Sequence, residues 1–388
     1  MFSQPIYIAT VLLVILAIGE LVSIWSKARI PSLLVILIGY LLLNWAGAFP
    51  KGVVSSSALT AFGALMVAPL IVHMGTLIPL KLIRSQYKAI LISLFASLTA
   101  TGLILLIVSP FYGYPTAVAG SSPVVGGIIS YLITTTKLQE MNLGHLITIP
   151  AVILGIHSLV GMPIATNMLR RYALKLQKQG AFEHKVAGES NVNIKEANAK
   201  TFLPQRFQTA PILLLLLFIM GSLSIYLGNV TGLSYSIWAL LLGVLGHLIG
   251  VFPSRVLDKA STSGIAMTGL IVVVMTSMES ITFDAVVSSI IPVLFIIAIG
   301  VVGVLIGGFV GSKLFKWDPL KGLPVALTAL FGFPGDYIIC EEVSRSVGRD
   351  ESERKAILDE ILTPMLVGGF TTVTTASVLI ASILIKTL

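Results

Sequence analysis

Leu323-Pro-Val-Ala-Leu-Thr-Ala-Leu-Phe-Gly-Phe-Pro-Gly-Asp-Tyr-Ile-Ile-Cys-Glu-Glu342 decides the fold class. The stretch is apolar enough to enter a bilayer. Gly332, Pro334 and Gly335 interrupt its middle, and Asp336 follows at once. Pro removes a backbone donor and clashes with the preceding turn, and Gly adds backbone freedom. A carboxylate at membrane depth costs roughly 3 kcal/mol on insertion scales. Broken backbone and charge are tolerated there where they line a cavity. Tyr114-Pro-Thr-Ala-Val-Ala-Gly-Ser-Ser-Pro-Val-Val-Gly-Gly127 is the counterpart in the earlier part of the chain. The pair reads as two broken elements facing one binding site, an arrangement many secondary transporters use.

The rest of the chain fits that reading. Of 388 residues, 56% are hydrophobic and 11% charged, and the mean hydropathy is +0.98. This excludes an ordinary soluble globule. Apolar segments fall near 6–25, 32–49, 58–80, 89–109, 114–136, 143–169, 209–227, 234–252, 261–281, 285–312, 322–342 and 361–386. Each is long enough to be a spanning candidate, so the expectation is an all-α polytopic protein of the cell membrane, in a bacterium the inner membrane. The first segment lacks a basic leader and a cleavage site, and reads as a helix. A single cysteine, Cys340, excludes an internal disulfide framework or a cysteine metal cluster. The net charge of +8 sits mostly in short loops, where it sets topology; nucleic acid is not an expected partner.

The second half repeats the first. Gly47-Ala-Phe-Pro50 aligns with Gly250-Val-Phe-Pro253, and Gly113-Tyr-Pro115 with Gly322-Leu-Pro324. Pro150, Gly155 and His157-Ser158 share one offset with Pro364, Gly369 and Thr371-Thr372. Shared order points to a duplication. Lys27 and Arg29, then Lys81, Arg84 and Lys88, mark the first and third loops as cytoplasmic, and a basic linker from Arg170 to Arg206 is cytoplasmic too. That requires an odd number of crossings in the first half. Making 114–136 re-entrant from outside restores the parity, and making 322–342 re-entrant from inside does the same for the second half. The expected architecture is two inverted repeats, 1–169 and 207–388, joined by the linker 170–206, each with about five spans and one re-entrant or broken hairpin. Lys51 and Lys137 fall on the outside and count against it. Asp350 to Leu362 reads as a short amphipathic helix with Ile357, Leu358 and Ile361 on one face.

Candidate chemistry centres on the two breaks. Re-entrant tips leave backbone amides or carbonyls unpaired, and these can hold an anion or coordinate a cation. Ser121 and Ser122 add hydroxyls at the first tip, and Gly126 and Gly127 allow close approach, as Gly332, Pro334 and Gly335 do at the second. Asp336, with oxygen donors from Ser121, Ser122, Thr371 or carbonyls near Phe333, forms a coupling-ion site for sodium, or carries a proton. His157, Ser158, Thr371 and Thr372 are solute-site candidates, with helix packing as the bland alternative. Glu341 and Glu342 belong near the surface. Glu20, Asn44, His73 and His247 are isolated polar groups that a neighbouring helix satisfies more often than not. Gly332-Phe-Pro-Gly-Asp336 departs from the Gly-x-Gly-Asp motif of intramembrane aspartyl proteases, and no second intramembrane aspartate completes a dyad, so no enzyme is expected.

Gly120-Ser-Ser-Pro-Val-Val-Gly-Gly127 and Gly332-Phe-Pro-Gly335, set in this architecture, resemble the glutamate:sodium symporter family and its relatives, the 2-hydroxycarboxylate symporters. The resemblance covers almost the whole chain as architecture. It implies sodium-coupled uptake of a small carboxylate or amino acid such as glutamate by an elevator-like motion. No Arg or Lys lies inside either hairpin; Arg345 and Arg349 follow the second. No nucleotide-binding Gly-x-x-x-x-Gly-Lys-Ser/Thr loop is present, so the leading reading is a secondary active transporter without a cofactor. A proton-coupled antiporter or exporter, and an ion channel built on two hairpins, are the alternatives. The expected partners are a small-molecule solute and the lipid bilayer; a homodimer is left open.

Overall fold

The structure, a computed structural model, describes residues 4–77, 86–182, 202–253, 255–279 and 281–388. Lys81, Arg84 and most of the 170–206 linker (183–201) lie outside the described residues. Of the described residues 82% are helical, and none lies in a strand. Among the described residues, seven helices are long and apolar enough to cross a membrane. The protein is therefore described as a polytopic helical membrane protein.

In chain order the helices are α1 Pro5–Trp25, α2 Ser32–Trp45, α3 Ala58–Leu77, α4 Tyr87–Tyr112, α5 Tyr114–Val124, α6 Ile128–Glu140 and α7 Thr148–Lys178. They continue with α8 Ala210–Thr231, α9 Tyr235–Leu248, α10 Ser263–Glu279, α11 Phe283–Leu314, α12 Pro319–Leu327, α13 Gly335–Val347, α14 Glu351–Phe370 and α15 Ser377–Leu384. Local sequence sets many of these ends. Pro5 and Pro319 stand in the first turns of α1 and α12, where a missing N–H costs nothing. Asp318 caps α12 through Leu320 N, and Asp350 caps α14 through Glu353 N. Gly232, in the left-handed region at φ 71°, stops α8.

Three expectations change. The segments at α2 and α9 have 14 helical residues each, about 21 Å of rise, well short of a full hydrocarbon span. α7 runs on to Lys178, past Arg170. Asp350–Leu362 is not a separate amphipathic helix but the opening of α14, which continues through a π-helical turn, Thr371–Ala376, into α15. Its charges are absorbed by neighbours: Glu353 meets Arg349 and Gln177, Arg354 meets Glu341, and Glu360 meets Lys321 and Tyr172. Ile357, Leu358 and Ile361 are buried together, as their spacing implies.

The helices sort into two groups by packing. α1, α2, α3, α8, α9 and α10 pack on one another and form a panel. α4, α5, α6, α7 and α11 to α15 form the core. The core is organised on α4 against α11. A Cβ on Gly303 would fall 2.5 Å from Ala100 Cα, and one on Gly307 would fall 2.7 Å from Ala96 Cα. Small residues let these backbones touch, which is how helices gain packing where no hydrophobic drive operates. Gly303→Ala should lower the thermal midpoint of the purified protein in detergent, corresponding to about 1–3 kcal/mol of overpacking. Gly102→Ala, on an open face of the partner helix α4, should leave it unchanged.

Candidate functional site

Both broken segments double back. Ser122 Oγ and Thr134 Oγ1 share a 2.7 Å hydrogen bond across twelve residues. A straight helix would hold them about 18 Å apart. Their chain bends at Val125–Gly127, between α5 and α6. The open end of this hairpin touches the short helical turn Gly144–Leu146 that leads into α7. Tyr114 Oη, at the same end, lies 2.6 Å from Thr387 Oγ1.

The second hairpin opens at the other end of α7. Lys175 Nζ pairs with Asp318 at 2.5 Å, and Gln177 Nε2 donates to Val347 O at 3.0 Å, so both its ends lie beside the finish of α7. Its tip reaches Gly161, where a Cβ would fall 2.7 Å from Leu330 Cβ. The fourteen residues from Gly161 to Lys175 rise about 21 Å, which sets the depth of the hairpin. The two hairpins thus enter from opposite ends of α7.

Their tips converge on the π-helical turn. A Cβ on Gly127 would lie 2.5 Å from Val373 Cγ1, and one on Gly332 would lie 2.6 Å from Val373 Cγ2. Val373 is thus gripped by one glycine from each tip. Gly332 has φ 55°, so the turn itself also excludes an ordinary side chain. Phe333 stacks on Phe370, ring centroids 5.6 Å apart, and ties the second tip to the start of the π turn. Gly126 lies against Ser377 and Ser130. Gly335 begins α13 and lies against Met162 of α7.

Asp336 sits in the first turn of α13 and is fully buried. Its Oδ1 accepts Tyr337 N at 2.7 Å. Its Oδ2 is buried with no hydrogen-bond partner. That oxygen faces the backbone of Gly369 so closely that a Cβ there would overlap it. A buried carboxylate with one oxygen unsatisfied is costly, and a bound cation or a proton relieves that cost.

Other expected site residues divide. Ser121 Oγ donates to Val118 O at 3.2 Å and Thr371 Oγ1 to Val367 O at 2.7 Å, each within its own helix. Such hydroxyls keep lone pairs for a cation. Thr372 Oγ1 donates to Gly368 O at 3.0 Å. His157 Nδ1 lies 2.7 Å from Ile153 O, so Nδ1 carries the proton and Nε2 is the acceptor. Ser158 is half-buried, and no contact places it at the tips. The arms pack on the helix that follows them, α5 on α7 and α12 on α14, as the shared offset implies. Their tips cross over: the first rests on the turn before α15, the second on α7.

Three of the isolated polar groups have partners. His73 Nδ1 accepts Leu257 N at 3.2 Å, His247 Nδ1 meets Phe252 O at 3.2 Å, and Glu20 pairs with Arg345 at 2.7 Å. Glu341 bonds Tyr337 and Arg354 and is partly exposed. Glu342 contradicts its surface assignment. It is 3% exposed and holds the α1–α2 corner through Ser23 and Ser32. A helical step of six residues turns it about 120° from Asp336, away from the tips and onto the panel. Val373 and Gly161 were missed because an apolar contact and a lone glycine carry no chemical signature of their own.

No protein-family model matches the chain, and no curated protein is significantly similar to it.

Gly369→Ala should insert a methyl group against the Asp336 carboxylate. Displacement should cost about 1–3 kcal/mol and lower the thermal midpoint of the purified protein in detergent. Expression and membrane insertion should persist. Gly39→Ala, with open space around it, should leave the midpoint unchanged.

Proposed function

We propose that the protein is a secondary active transporter of the cell membrane, in which a cation at Asp336 drives movement of a small carboxylate or amino acid. The observation that carries this reading is Asp336 itself: a fully buried carboxylate with an unsatisfied oxygen, one turn from the point where two oppositely inserted hairpins meet. The tips supply complementary backbone ends. α5 and the turn Thr328–Leu330 finish there and free carbonyls for a cation. α6 and α13 begin there, and helix N-termini favour an anion without any Lys or Arg.

The proposed frame is two inverted repeats, and paired contacts support it. α1–α2 is matched by α8–α9, α2–α10 by α3–α9, and α4–α5 by α11–α12. Across the halves, α4–α12 is matched by α5–α11, α4–α14 by α7–α11, and α7–α13 by α6–α15. The charge pattern places the end of α7 in the cytoplasm and the α8–α9 turn outside. In a Cys340→Ala background, cysteines replacing Gln179 and Gly232, both exposed, should be labelled by an impermeant maleimide from opposite sides. Labelling of both from one side rejects the topology.

Sodium is the proposed coupling ion, with Asp336 supplying charge and Ser121 and Thr371 supplying oxygen. A proton is the second reading, favoured by an Oδ2 that has no hydrogen-bond partner among the described residues. Asp336→Asn keeps size and removes charge. In proteoliposomes screened with amino acids and carboxylates, it should abolish accumulation under a sodium gradient. Wild-type uptake that follows a pH gradient and ignores sodium assigns the proton. Unchanged uptake and unchanged sodium dependence in Asp336→Asn removes the carboxylate from the mechanism.

A further inference from the structure

The proposed cycle needs the core to move against the panel, and one buried contact stands across that boundary. Glu342 of α13 receives three donors from the α1–α2 corner. Ser23 Oγ donates to Oε2 at 2.8 Å, Ser32 N donates to Oε1 at 2.9 Å, and Ser32 Oγ also donates to Oε1. Ser23, Ser32 and Glu342 are 1%, 0% and 3% exposed. Ser32 is the first residue of α2, so the carboxylate also sits at the positive end of that helix. Two outer contacts flank it: Arg345 to Glu20 at 2.7 Å, and Asn167 Nδ2 to Arg29 O at 3.1 Å.

The equivalent corner of the other half is used differently. Ser234 caps its own helix through Ser236 N, and Thr231 Oγ1 accepts Trp238 Nε1 at 2.9 Å. Among the described residues, no hydrogen bond joins that corner to α6, the arm that corresponds to α13. In a molecule with two matched halves, a contact made by one half alone marks the state in which it was captured. Breaking it strips the carboxylate of all its donors together, so the contact is made or lost as a unit.

We propose that Glu342 is a positioning residue that latches the second hairpin to the α1–α2 corner in one half of the transport cycle, and that the latch opens for the other half. The proposal rests on the reading of the protein as a transporter, but its test does not use transport. Ile338 of α13 is 6% exposed and packs with the panel's apolar residues near the latch. In the full-length Cys340→Ala protein, Ile338→Cys reports opening of this boundary. Ala117→Cys, buried in the first hairpin, reports general loosening. Adding Glu342→Gln, which removes the charge at the start of α2 and leaves one acceptor oxygen where two served, should speed maleimide labelling of Ile338→Cys about tenfold while Ala117→Cys stays protected. Glu342→Asp should return labelling toward the parent rate. Unchanged labelling at Ile338→Cys overturns the proposal. Equal acceleration at both positions also overturns it, because Glu342 then serves only to hold the fold together.

Discussion

The core depends on how closely α4 and α11 approach. In hydrocarbon the helices gain nothing from excluding water from each other, so backbone proximity and dispersion must hold them. Ala96 and Ala100 facing Gly303 and Gly307 supply that proximity. The same small-residue face carries on to the hairpins. Val124 of α5 packs at Gly300, and Ala326 of α12 packs at Gly308. Both first arms therefore hang from one crossing, and its spacing determines whether the tips can meet on Val373.

That meeting point explains how a broken backbone survives at depth. Unpaired N–H and C=O groups are tolerated only where protein covers them or a polar cavity receives them. Here α5, α12 and α13 are largely buried, and the tips press on a π-helical turn, a feature frequent at functional sites because it disturbs the regular ladder. Asp336 and Glu342 show how one helix serves two boundaries. Asp336 faces the turn between the tips, and Glu342 faces the panel. Their chemistry is the same, but the donors around them differ, one oxygen of Asp336 being left unsatisfied and both oxygens of Glu342 being bonded.

Much of this was legible before any coordinates. The membrane class followed from apolar runs, and the hairpins followed from Gly and Pro breaks combined with loop charge. Asp336 stood out because a carboxylate in such a run needs a reason. The sequence did not reveal which surfaces meet. The register that brings Gly127 and Gly332 to one valine depends on the crossing of helices far apart in the chain. Glu342 was misread because its partners, Ser23 and Ser32, are unremarkable residues more than three hundred positions away. The continuous α14 was misread because its charges look solvated until α7 and α13 are placed beside them.

The crossed tips bear on how such a chain is assembled. Each hairpin finds its seat on a helix from the other half, Gly127 on the turn before α15 and Leu330 on α7. The first half therefore lacks the seat of its own tip, while the second tip also touches Val373 and Phe370 within its own half. A fragment ending in the linker would leave its hairpin bend facing lipid with no surface to cover the interrupted backbone. The second half must therefore be synthesised and inserted before the first is finished, so the early hairpin waits in the membrane for its partner.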